Sequence, residues 1–367
     1  MKFVLVSGTD AWLRNFRQKV LAISTLVKNQ SDLPEEIAWR GPELFASEGW
    51  SYQLTKPERD ALSVVVDRVV GHDLESIPQV VSVSTVLTDL AGRLSNILER
   101  GAGVVLLRDF ISSEWDEHGA ERAFWYLSTQ LGTPVSQSAE GDRLFHVRDA
   151  GFPATDPRYR GPMSRKRLSF HTDRCDVIGF LCLQPALRGG ETFIVSSVAL
   201  CDELRRSAPE TLEVLRQPYP YLRHTVDVGN TRSYCELPIF SEHEGYFAAH
   251  FLRVLIDRAD VSDVAPTLTT SQRLALDALE RLAEDPGFHV SFGMEAGDLL
   301  LLNNWTTFHR RNEFVDTEAA GRKRHLLRIW LAMADSRPIA PCFVDHFGAT
   351  AAGVVRGGMR PIASRND

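Results

Sequence analysis

The chain has 367 residues, with 41 Lys and Arg against 48 Asp and Glu, a net charge of −7, 44% hydrophobic and 24% charged residues. This acidic balance argues against a nucleic-acid or anionic-membrane partner, which needs concentrated positive charge, and no run approaches the roughly 20 apolar residues that span a bilayer. Five cysteines without a C-x-x-C pair, and an opening Met1–Gly8 too short for a signal peptide, point to reduced thiols in a cytoplasm.

In chain order, Pro57 marks the start of a helix carrying Val64, Val65, Val66, Val69 and Val70. Thr88-Asp89 is expected to cap a second helix with Leu90, Leu94, Ile97 and Leu98 on one face. Gly101-Ala102-Gly103 breaks it, and Val104–Leu107 reads as a buried strand. A third amphipathic helix is expected over 120–132. From about 166 the pattern changes to short apolar runs at 177–183, 191–198, 246–256, 288–293, 298–303 and 325–333, with one helix at 271–284 between them. Strands so spaced suggest a sandwich, jelly roll or barrel rather than βαβ units. Residues 203–245 show little regular signal, as a lid or binding insertion would, and the tail after Pro338 reads as irregular. The expected organisation is a helical and strand extension over 1–84, packed on a domain spanning 85–367.

Phe170-His171-Thr172-Asp173 is the strongest local feature. Alternate residues of an extended chain share a face, so His171 and Asp173 would project together from one strand. One further histidine would complete the 2-His-1-carboxylate facial triad, which leaves open positions on Fe(II). The candidate is His309, in the polar segment that follows the apolar strand launched by Gly297-Asp298. Further on, one strand face carries Arg324, Leu326, Arg328 and Trp330, and the other His325, Leu327, Ile329, Leu331 and Met333. Inward guanidiniums on so apolar a strand need anionic partners, and a carboxylate matches them in bidentate geometry. Each feature also has a plainer reading: a chance H-x-D, a loop histidine, two solvated arginines on an edge strand. Alternation puts Cys175 on the face of Asp173, though packing is its plainer role; for Trp305, Asn303 and Asn304, just before His309, packing or turn roles are as natural as lining such a site. His224, His243 and His250 lie in or beside the 203–245 insertion, where packing roles are as natural as a substrate contact.

In order and spacing, His171-x-Asp173, Gly189-Gly190-Glu191-Thr192, Gly297-Asp298…His309 and Arg324-x-x-x-Arg328 together resemble the taurine dioxygenase/TfdA family of Fe(II)- and 2-oxoglutarate-dependent oxygenases, over about residues 85–335. The resemblance implies a mainly β, α+β fold: a double-stranded β-helix (jelly-roll) core with flanking helices. It implies His171, Asp173 and His309 as iron ligands, Thr192 as hydrogen-bonding the 2-oxoglutarate carboxylate, and Arg324 as the partner of its distal carboxylate, with Arg322 an alternative on the same face. Arg328 matches a position that in some members contacts an anionic group of the prime substrate, and Trp305 is a candidate pocket wall. The implied reaction converts 2-oxoglutarate and O₂ to succinate and CO₂ while hydroxylating an unactivated C–H of a small molecule, such as an amino acid or biosynthetic intermediate; desaturation is an alternative outcome. Related iron halogenases carry Gly or Ala at the carboxylate position, so Asp173 argues against halogenation. Two rivals stand outside this class, a jelly-roll zinc hydrolase and a non-catalytic binding module. Neither gives Thr192, Arg324 and Arg328 a purpose. Nothing in the sequence specifies an oligomeric state.

Overall fold

The computed structural model describes residues 37–360, apart from 48, 83, 153–160, 224–226, 228, 229, 231 and 318–321. Most of the extension's first half, and His224, lie outside the described residues.

The continuous apolar strands expected near 104, 177, 299 and 325 form the middle of one mixed, mostly antiparallel sheet. Its order is Ser51–Gln53, Val104–Arg108, Leu299–Asn303, Val177–Gln184, His325–Met333 and Gly132–Pro134, with Leu144–Val147 also pairing with His325–Met333. These strands are apolar along most of their length because both faces are covered, with Arg328 an exception inside His325–Met333. Leu299, Leu301, Leu327, Ile329 and Leu331 point to a layer of helices, Lys56–Arg68, Thr85–Arg100 and Glu117–Leu131. Leu300, Leu302, Ile178 and Trp330 point the other way, onto Ile194 and Val290 of a three-stranded antiparallel sheet made of His289–Phe292, Thr192–Ser196 and Thr307–Arg311. Each such leucine contributes about 1.5–3 kcal/mol by leaving water. Packing between the helices and the large sheet is tight at Gly179, where an added Cβ would sit 3.1 Å from Ile329, Leu301 and Phe124. The described residues are thus a mixed α+β structure.

The helix starts differ from expectation by a few residues. The second helix begins at Thr85 after Ser84, and Thr88 lies inside it with its hydroxyl donating to the Ser84 carbonyl; back-bonding of this kind lets a threonine sit in a first turn as well as cap one. The third begins at Glu117, capped by Asp116, whose carboxylate accepts from the Gly119 amide at 2.7 Å. The 246–256 run divides into a strand, Tyr246–Ala249, and a helix, Arg253–Asp260. Beyond Phe251 the buried positions are Leu255, Ile256 and Ala259, a helical spacing, and Arg253 pairs with Asp257 four residues on.

The irregular insertion expected over 203–245 is largely regular. Helices Ser197–Ser207 and Pro209–Leu215 are followed by paired strands Tyr219–Leu222 and Tyr234–Leu237, then by Phe240–His243 paired with Tyr246–Ala249. Its Tyr219, Tyr221, Leu237 and Phe240 are buried in a second core shared with Phe251, Trp305 and Phe308. Four-residue strands and short helices with Pro boundaries leave too little periodicity to read. Residues 49–82 contribute an edge strand, Ser51–Gln53, parallel to Val104–Arg108, and the first helix of the covering layer. The chain divides into two compact units, Met1–Leu33 and Pro34–Asp367, the first lying wholly outside the described residues. Among the described residues no helix is long and apolar enough to cross a membrane.

Candidate metal centre and the adjoining cavity

His171 and Asp173 do not stand on a regular strand. The segment is extended, and only His171 pairs, through isolated antiparallel bridges to His309 and to Leu252. The consequence expected from alternation still holds: His171 Nε2 lies 3.9 Å from Asp173 Oδ2. His309 is not in a loop but in the middle of the Thr307–Arg311 strand, opposite Ile194. Its amide donates to the His171 carbonyl and the His171 amide donates back, both at 3.0 Å. This reciprocal pair sets the imidazoles side by side, with ring centroids 4.4 Å apart and the planes tilted by 44°. His309 Nε2 is 3.3 Å from Asp173 Oδ2.

Neighbouring groups leave these atoms free to bind a metal. His171 Nδ1 lies 2.8 Å from the Ser169 carbonyl, so that nitrogen carries the proton and Nε2 presents its lone pair. Burial, with His309 beside it, lowers the His171 pKa to about 4, so it is a neutral ligand at physiological pH. Burial alone would raise the Asp173 carboxyl, but His309, Arg328 and His171 outweigh it and hold it well below the usual carboxylate range. Asp173 Oδ2 is buried and has no hydrogen-bond partner among the described residues, a costly state for an ionised oxygen. Two imidazoles and an anionic oxygen converging on one point are a donor set suited to Fe(II) or Zn²⁺.

Asn304 holds the carboxylate in place: its Oδ1 accepts from the Asp173 amide at 3.0 Å, and its Nδ2 donates to Cys175 Sγ at 3.0 Å. Cys175 therefore has a packing partner and stays outside the cluster, and burial pushes its thiol pKa up. The sequence drew attention to Asn304 without assigning it this role. Trp305 does not reach the site. It is buried in the second core, its Nε1 donating to Asp176 Oδ1 at 2.8 Å, and it packs against Phe343 and Phe347.

Two hollows meet at His171, Asp173 and Arg328. The narrower one is lined by Thr192, His309, Phe180, Arg324 and Leu326. Thr192 enters it because Gly189 and Gly190, both at positive φ (74° and 77°), turn the chain just before the Thr192–Ser196 strand. A Cβ on Gly190 would crowd Phe314 at 3.3 Å and reach within 3.5 Å of Arg324 Nε. Arg324 is buried, its amide donates to Asp316 Oδ1, and its Nη1 has no partner among the described residues. Burial lowers its pKa only to about 10, so it remains a cation. Arg322, by contrast, is exposed. The wider hollow has a volume of about 700 Å³ and is bordered by Lys166, Arg167, Tyr221, His250, Leu252 and Arg258. Arg328 stands between the two, its Nε donating to Gln137 Oε1 at 2.6 Å and its Nη1 3.9 Å from Asp173 Oδ1. No sequence signal marked Gln137, which lies 191 residues away.

Beneath the cavity floor, His250 meets Thr172 Oγ1 at 3.0 Å and stacks near His346, ring centroids 5.2 Å apart. Burial and then Arg174 disfavour charge on both, lowering His250 to about 3 and His346 well below its ordinary value. The unfolded chain protonates these imidazoles near pH 6.5 while the folded chain does not, so stability is retained above pH 6.5 and lost as pH falls from there towards 3. Each contributes a loss of up to about 1.4 kcal/mol per pH unit. Urea midpoints measured from pH 7.5 to 5 are expected to fall, with a shallower slope in His250→Phe; an unchanged slope would assign the acid sensitivity elsewhere.

Residues 73–330 match the family model described as taurine catabolism dioxygenase TauD, TfdA. An FR-33289 synthase from Streptomyces rubellomurinus is 28% identical over 317 residues, covering 84% of this chain and 92% of that protein. A uridine-5'-phosphate dioxygenase from a Streptomyces species is 28% identical over 158 residues, 43% of this chain and 56% of that one. Among solved structures, an asparagine oxygenase in complex with Fe(II), 3-hydroxyasparagine and succinate superposes with a TM-score of 0.58 at 16% identity, covering 77% of this chain and 93% of that one.

Proposed function

The chain belongs to the TauD/TfdA family of non-haem iron, 2-oxoglutarate-dependent dioxygenases, and on that premise we propose that it hydroxylates a C–H bond of a small anionic molecule held in the 700 Å³ cavity. The two packed sheets are the halves of a double-stranded β-helix, and residues 85–367 are the oxygenase domain on which residues 49–82 pack. His171, Asp173 and His309 hold the iron. Bound there, the iron supplies activation of O₂ coupled to decarboxylation of 2-oxoglutarate, giving succinate and CO₂.

One observation carries the reading: the metal-ligand cluster sits where two hollows of different character meet, and the narrow one contains a buried, partly unpaired guanidinium. Arg324 Nη1 and the Thr192 hydroxyl are placed to bind the carboxylates of 2-oxoglutarate, which satisfies a charge that is otherwise expensive to bury. The wider hollow is left for the prime substrate, and Arg328 at the junction offers it a cation fixed by Gln137. The phosphate ester named for one relative and the amino acid named for another each carry an anionic group. The zinc-hydrolase reading gives Arg324 no partner.

Iron- and 2-oxoglutarate-dependent succinate formation with O₂ uptake, and a weak visible charge-transfer band when Fe(II) and 2-oxoglutarate are mixed without O₂, are the tests of class. Their joint absence would overturn the reading. The two arginines should separate kinetically. Arg324→Leu removes charge-assisted bonds of about 1.5–3 kcal/mol, so the KM for 2-oxoglutarate should rise roughly 10–100-fold. Arg328→Leu should raise the KM of the prime substrate and leave that of 2-oxoglutarate nearly unchanged. An unchanged substrate KM in Arg328→Leu would count against the anionic-substrate assignment.

A further inference from the structure

The strand that presents Arg324 and Arg328 to the iron site carries a different chemistry on its back. His325 opens the His325–Met333 strand on the face of Leu327, and Leu327 pairs with His146 of Leu144–Val147. The two histidines are thus diagonal neighbours on one face. His146 Nδ1 lies 2.9 Å from His325 Nε2. The first turn of the Glu117–Leu131 helix brings Glu117 Oε1 to 3.9 Å from His146 Nδ1 and 4.0 Å from His325 Nδ1. Glu121, one turn later, places Oε1 3.6 Å from His146 Nε2, and its other oxygen meets His118 Nδ1 at 3.0 Å. Three elements distant in sequence therefore direct two imidazoles and a carboxylate at one point, with one ligand atom from each within 4.8 Å of the others.

We propose that Glu117, His146 and His325 form a second divalent transition-metal site, of the chemistry that takes Zn²⁺. Two imidazoles with one carboxylate are a common zinc donor set, with a fourth position left to water. Glu121 Oε1, 3.6 Å from His146 Nε2, stands on the far side of that ring, where a metal-bound histidine usually has its outer carboxylate partner. Only the half-exposed edge of the site faces solvent: His325 is 13% and His146 36% exposed. Arg148, Lys323 and Arg324 border the hollow beside it, and Asp116 with the two glutamates offsets their charge. The site is separate from the iron centre, since Glu117, His146 and His325 line neither of the hollows that meet at His171 and Asp173. A metal there would pin the start of that strand against the Glu117–Leu131 helix, immediately next to Arg324.

The test is a Co²⁺ titration of the full chain after chelator treatment, followed by visible absorption and metal content. Wild type should bind two equivalents, His171→Ala one and His325→Asn one. Glu121→Gln should keep two but weaken the second roughly 10–100-fold. A His325→Asn protein that keeps its first equivalent demonstrates its own fold; should it not fold, the half-exposed Glu117→Gln gives the same reading. Two equivalents in both His325→Asn and Glu117→Gln, or a single wild-type equivalent that His171→Ala removes, would overturn the proposal. A single equivalent lost in His325→Asn but kept in His171→Ala would support this site and sink the His171 centre instead.

Discussion

Replacing His171 with alanine is expected to abolish iron-dependent succinate formation. In the proposed centre the imidazole is one of three ligands, and its Nε2 is free because Nδ1 is committed to the Ser169 carbonyl. Alanine keeps the backbone bridge to His309, formed by main-chain atoms alone, so the fold should persist while the metal loses a donor. The loss should exceed the roughly 10–100-fold that removal of an outer partner costs. Asn304→Ala gives the comparison: it deletes the side chain that accepts from the Asp173 amide, and should weaken Fe(II) binding within that smaller range. Iron affinity by titration and succinate by chromatography, each beside a circular-dichroism control, check both variants. Wild-type turnover in His171→Ala would refute the centre.

The second large effect falls on stability. Asp176 is buried, and its Oδ1 accepts from Trp305 Nε1 at 2.8 Å and Arg356 Nε at 2.7 Å, while Oδ2 accepts from the Met333 amide at 2.9 Å. It thereby ties the turn after the metal carboxylate to the end of the His325–Met333 strand and to the C-terminal segment. Arg356 is fully enclosed, over the Trp305 ring at 5.2 Å. Asp176→Ala leaves that guanidinium without its counter-charge in a dry site, and breaking a buried pair in this way costs about 3–5 kcal/mol. Tm should fall by on the order of 10 °C. Asp176→Asn preserves one acceptor and should lose less. A melting temperature in Asp176→Ala within about 2 °C of wild type, the shift expected from less than about 1 kcal/mol, would show that Arg356 finds another partner.

The residues that carry chemistry were legible in one dimension because chemistry constrains identity and order. His171-x-Asp173 announces two ligands, and the alternation of Arg324, Leu326, Arg328 and Trp330 against Leu327, Ile329 and Leu331 separates a site face from a core face. The structure keeps that separation: the first set lines the hollows or the layer between the sheets, and the second lies under the helices. The run Val104–Leu107 likewise reads as a buried strand, since a strand covered on both faces keeps few polar positions to disguise it.

What the sequence could not decide depended on contacts between distant residues. His309 comes to stand beside Asp173 because its strand is bridged to His171, and no local pattern distinguishes that strand from a polar loop. Asn304 and Gln137 gain their roles from partners 131 and 191 residues away. Trp305, in the same short segment as Asn304, is turned into the core by Asp176. The 203–245 segment folds through many short pieces whose burial is cooperative, so no single window shows a period. Arg324 prevailed over Arg322 only when the fold buried one and left the other in solvent. The sequence by itself determined which side chains were able to do iron chemistry; the tertiary structure decided which of them meet, because pairing register and burial are properties of the packed sheets and not of any one strand.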